Sequence, residues 1–135
     1  MRALGRFLCV LTALLLLSGC GPSPEVQNKP KPVFKAWLPA AGASMLPKFP
    51  IKAEIEIEIG VPFAALKEGD SVVFWDYERG PMAMTHHRLI QKQAGAWMAK
   101  GDNNKVVDPS WVTEENYLAR GTGKWEYILV PPVSK

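Results

Sequence analysis

AEIEIEIG (residues 53–60) sets apolar and acidic side chains in strict alternation. A period of two marks a β-strand with one face in a core and the other in water. The isoleucines therefore read as inward and the glutamates as solvated. Outward from this strand the same grammar recurs. GDSVVFWDY (69–77) is a strand behind a Gly-Asp turn, and MTHHRLIQKQ (84–93) and AWMAKGDNN (96–104) flank an Ala-Gly turn as a hairpin. WEYILV (125–130) reads as the last strand before a double proline, and only WVTEENYLA (111–119) suits a short helix or turn. Without an internal repeat or a long amphipathic helix, the expected class is mostly β, a small curled antiparallel sheet or barrel.

The first residues read as an address rather than a fold. Arg2 and Arg6 precede an apolar run from Phe7 to Leu17, too short for a membrane-spanning helix, which takes about 20 residues. The run suits an export signal. It ends in LSGC (17–20), which resembles the lipobox of bacterial lipoproteins, with Cys20 as the lipidated residue. Cleavage before Cys20 would discard Cys9 and leave Cys20 as the only thiol, so no internal disulfide is expected. The expected organisation is a lipoprotein signal peptide over 1–19, a lipidated proline-rich tether over 20–33 and a folded domain over 34–135. The expected location is the outward face of the cell envelope. Gly21 carries no inner-membrane retention aspartate, so a cell with two membranes would hold the protein on the outer one. Without Arg2 and Arg6 the formal charge drops from +3 to +1. Neither that charge nor any basic run supports nucleic-acid binding.

Chemistry centres on GASMLPKFP (42–50). A serine hydroxyl is a poor nucleophile unless a base lies within hydrogen-bond reach. The chain has two histidines, His86 and His87, adjacent on one arm of the hairpin. A two-residue turn at Ala94-Gly95 sets His87 opposite Asp102 and His86 opposite Asn103. Opposed side chains have Cβ atoms about 5 Å apart, which lets a carboxylate meet an imidazole. The ingredients of a Ser-His-Asp centre are thus Ser44, one of the histidines, and Asp102 or Asp108. Lys100 and Lys92 are alternative bases after deprotonation by burial. Adjacent histidines on a strand point to opposite faces, so they do not make a metal-ligand pair, and neither metal nor cofactor is expected.

Taken in order, GASMLPKF, LKEGDSVVF, HRLI and KGDNNKVVD resemble the sequence boxes of the type I signal peptidases, over residues 40–120. A serine followed by Met-x-Pro is that family's nucleophile box. A Gly-Asp pair before an apolar strand, a base followed by arginine, and Gly-Asp-Asn with a further aspartate complete the series. ENYLARG (115–121) is similar to a segment that often closes these domains. His87-Arg88 resembles the histidine version of the family rather than its Ser-Lys version. The resemblance implies the signal-peptidase fold, Ser44 as nucleophile, His87 as general base, Asp108 as the acid that orients His87, and Asp102 as a support of the loop. It implies a serine endopeptidase acting on exported polypeptides, membrane-held here through the lipid.

One departure is Gly42. Many relatives of that family carry a hydroxyl there, two residues before the nucleophile, that helps hold the oxyanion. The competing expectation is therefore a peptide-binding lipoprotein on the same fold, without catalysis.

Overall fold

The computed structural model describes residues 30–129. The expected signal peptide, the lipidation site at Cys20 and the tether up to residue 29 lie outside the described residues. Six strands form one antiparallel sheet: β1 (Phe34–Ala40), β2 (Ala53–Ile59), β3 (Ser71–Trp75), β4 (Met84–Gln93), β5 (Ala96–Lys100) and β6 (Tyr117–Tyr127). Their spatial order is β1-β2-β6-β3-β4-β5. The outermost strands, β1 and β5, do not pair with each other, so the sheet is open and the barrel alternative is corrected. The physical reason is that both faces of the sheet carry a core covered by loops, whereas a closed barrel wraps its core inside the sheet.

β3 is the pivot of this arrangement because four of its five residues, Ser71 to Phe74, are buried. Val72 and Phe74 point to one face, with Leu66, Leu89, Trp97 and Val112. Val73 points to the other face, with Met45, Phe49, Ile55 and Ile57. β2 follows the alternation read from sequence: Ala53, Ile55 and Ile57 are buried. Its glutamates, however, are half-buried, and two of the three pair with flanking strands rather than being simply solvated. Glu58 Oε2 lies 2.7 Å from Arg120 Nη2 on β6, and Glu56 Oε2 lies 3.3 Å from Lys35 Nζ on β1.

The hairpin turn is as read, with positive φ at Ala94 (49°) and Gly95 (84°), the conformation of a two-residue type I′ loop. The last strand is not. It begins at Tyr117 and ends at Tyr127, earlier at both ends than the expected 125–130. Asn116 explains the start, and it keeps 111–116 a turn. Its Nδ2 donates to Trp75 O (3.1 Å) and Trp111 O (3.0 Å) while its Oδ1 accepts from Thr113 N (2.7 Å).

Phe74 is fully buried at the centre of the larger cluster. Phe74→Ala should lower the unfolding free energy by about 3–5 kcal/mol, read from urea denaturation.

Candidate active site

Ser44 sits in the loop between β1 and β2. The loop turns on hydrogen bonds from Leu46 N to Ala43 O (3.2 Å) and from Phe49 N to Met45 O (3.0 Å). Met45 and Phe49 are buried in the core, so the apolar residues of GASMLPKF pin the loop and leave Ser44 at the surface of a cavity. The loop after β5 holds it from the other side. Asn103 N donates to Ser44 O (2.7 Å), and Asn103 Nδ2 donates to Ala43 O (3.1 Å). Gly101 makes this approach possible, because a Cβ there would stand 2.7 Å from Ser44 O.

His87 is 1% exposed, and its Nδ1 lies 2.5 Å from Asp108 Oδ2. Asp108 reaches it because Asp108 N donates to Ala99 O (2.8 Å), laying the end of GDNNKVVD back along β5. His87 Nε2 has no hydrogen-bond partner among the described residues.

The hairpin register put Asp102 opposite His87, and the structure corrects this. Near the turn the pairing is as expected, Gln93↔Ala96 and Gln91↔Met98, but a bulge between Leu89 and Gln91 shifts it to Leu89↔Ala99 and Arg88↔Lys100. Asp102 instead takes Arg88, Oδ1 to Nε at 2.7 Å and Oδ2 to Nη2 at 2.6 Å. Arg88 Nη1 also donates to Gly69 O (2.8 Å). One guanidinium thus ties the Gly-Asp turn before β3 to the loop that holds Ser44.

A cavity of about 470 Å³ brings the pieces together, with Ser44, Met45, Thr85, His86 and His87 on one part of its wall and Leu38 to Gly42 on another. Ser44 Oγ and the His87 ring share this cavity without a hydrogen bond to each other. Nothing lies within 4 Å of where a Gly42 side chain would begin. β5 pairs with β4 only from Arg88 to Gln93, so the Met84–His87 half of β4 has no strand neighbour on that side among the described residues. The alternative bases lie elsewhere. Lys100 Nζ donates to Asn104 O (3.1 Å), and Lys92 Nζ sits over the rings of Trp97 and Phe63. Among the described residues, no three histidine, cysteine or acidic side chains converge on a metal site.

His86 is a separate matter. It points to the opposite face from His87, edge-on to Phe49 with ring centroids 4.9 Å apart, and its buried Nε2 has no partner among the described residues. Burial pushes its pKa down to about 4, helped by repulsion from His87 and Arg88 and opposed by Asp102. The sequence reading did not single out Asp76, which is fully buried behind Thr85 and Arg79 of the cavity wall. The period of two did carry a signal for it, since Val72, Phe74 and Asp76 share one face.

Compared with protein families, curated proteins and solved structures, the chain matches none. The site therefore stands on its own geometry.

Gly101→Ala should push the 101–104 loop off Ser44 O, costing about 1–3 kcal/mol of stability in urea unfolding. His86 makes a pH prediction. Its folded pKa lies below the ordinary 6.5, so the unfolded chain binds the extra proton first and stability falls as pH drops from about 6.5 toward 4. At pH 4.5 the wild type should lose about 2 kcal/mol more, relative to pH 7, than His86→Gln, measured by urea unfolding.

Proposed function

We propose that the protein is a serine endopeptidase of the signal-peptidase type, with Ser44 as nucleophile, His87 as general base and Asp108 as its positioning carboxylate. The observation that carries this is the buried His87–Asp108 pair opening onto the cavity that Ser44 lines. With Nδ1 held by Asp108, the remaining ring nitrogen, Nε2, takes the Ser44 proton as Oγ attacks the scissile carbonyl carbon. His87 then returns that proton to the leaving amine, and water attack on the acyl-enzyme reverses the roles. Asp108 stabilises the imidazolium formed between these steps. In substrate-free structures such nucleophile–base contacts are commonly open and close on binding, which fits Ser44 and His87 facing each other without a bond.

Substrates are extended segments of exported polypeptides. The free edge of β4 from Met84 to His87 and the wall from Leu38 to Gly42 favour a peptide docked as an added strand. Asp102 and Arg88 serve the loop rather than the proton transfer. The lipid anchor at Cys20 and the envelope location belong to this proposal as the sequence reading supplies them. A second reading, a non-catalytic peptide-binding lipoprotein, is favoured by one observation: Gly42 offers no hydroxyl to the oxyanion.

The test is incubation of the detergent-solubilised protein with a diverse peptide mixture, products read by mass spectrometry. New termini should vanish in Ser44→Ala and in His87→Ala, and Asp108→Asn should slow their formation by about 10³- to 10⁴-fold. Cleavage that persists in Ser44→Ala, or none in folded wild type, would end the endopeptidase reading. Gly42→Ser should raise kcat by about 10- to 100-fold, because the space is open and an oxyanion donor is typically worth 10²–10³; an unchanged kcat would show that backbone donors already suffice.

A further inference from the structure

The cavity wall carries one permanent cation, and its setting is unlike that of an ordinary surface arginine. Arg79 lines the cavity, while no aspartate or glutamate does. Its side chain is 56% exposed, but Nε lies 3.0 Å from Oδ2 of Asp76, whose side chain is fully buried. Asp76 is itself fixed. Its backbone N donates to Ala83 O (2.8 Å), its Oδ1 accepts from Ser110 Oγ, and its Oδ2 accepts from Thr85 Oγ1 (3.2 Å). The guanidinium is thus paired from behind, its Nε 3.0 Å away, with a carboxylate that Thr85 and Ser110 hold still. Neither Nη has a partner among the described residues. A planar fork whose terminal nitrogens make no hydrogen bond among the described residues, on a cavity lining whose described residues include no acid, is matched by a second carboxylate on the side away from Asp76.

We infer that Arg79 is a specificity-determining residue, binding an aspartate or glutamate side chain of the substrate; this rests on the endopeptidase reading above. The position follows from β4. Thr85, bonded to the same Asp76, and Met84, also on the cavity wall, lie two and three residues from His87. At about 3.3 Å per residue, Arg79 meets an extended peptide about two or three residues from the scissile bond. Substrate selection then has two parts: small or apolar residues against the apolar wall near Ser44, and an acid beyond them. Lysine or arginine at that position is rejected by like charge.

Ten-residue peptide pools with one position fixed as glutamate or as glutamine provide the probe, offered to wild type, Arg79→Gln, Arg79→Lys and Arg79→Glu. The wild type should cleave glutamate pools about tenfold faster than glutamine pools at one position, two or three residues from the cut. The ratio is modest because Arg79 is more than half exposed and solvent screens its charge. That ratio should fall to about one in Arg79→Gln, survive in part in Arg79→Lys, and invert toward lysine-bearing pools in Arg79→Glu. Thermal melts of each variant separate lost selectivity from lost fold. Ser44-dependent cleavage with no acidic preference, or a preference unchanged in folded Arg79→Gln, would overturn the inference and leave the endopeptidase reading standing. If no pool is cleaved, binding of the same pools to Ser44→Ala is measured. A glutamate preference that disappears on adding Arg79→Gln supports the inference without catalysis, and its absence overturns both.

Discussion

Arg88 stands where three distant segments of chain meet. It grips Asp102 through two nitrogens and Gly69 O through the third. The turn before β3, strand β4 and the loop after β5 are thereby held in one register. A paired, part-buried arginine of this kind is worth more as a geometric constraint than as net stability, since desolvation offsets much of the attraction. What depends on it is the position of Ser44. The loop that Asp102 anchors is the loop whose Asn103 holds the Ser44 and Ala43 carbonyls. Pulling on Arg88 would move Ser44, which it does not touch.

The two-sided burial of β3 gives this constraint something rigid to act on. Val72 and Phe74 fill one core and Val73 the other, so β3 cannot slip by one residue without exchanging the two sets. β4 pairs with it from Met84 to Arg88. The neighbours His86 and His87 are therefore sent to opposite faces by strand geometry alone. One becomes a partner of Asp108, and the other a desolvated ring against Phe49. Identical side chains one residue apart end in opposite chemical circumstances.

Much of the sheet was legible because half-buried strands advertise themselves by alternation. β2, β3 and the β4–β5 hairpin are where AEIEIEIG, GDSVVFWDY and the Ala-Gly turn put them. β6 starts eight residues before the expected 125, and at Gly121 the strand needs a residue with no Cβ. One there would collide with Ser71 Oγ and approach His86 Nε2 to 3.3 Å. Of the site, the residue types and the Gly-Asp-Asn loop were visible in sequence. The partner of His87 was not derivable from hairpin counting, since one bulge at Ile90 is invisible to it and changes which side chains face each other. Asp76 had a periodic signal and a cation three residues on in Arg79, but Thr85 and Ser110 reach it from separate stretches.

An open sheet has two rims, and each is a row of backbone groups that another chain could borrow. The β1 rim answers with Pro39, which has no N–H to lend, and with Lys35, whose charge resists a like neighbour. A second copy of the molecule thus finds poor purchase on the outer side of the strand whose other end walls the cleft. Strand pairing is thus discouraged along β1, whereas the Met84–His87 stretch of β4, which lines the cavity, keeps one side without a strand neighbour among the described residues.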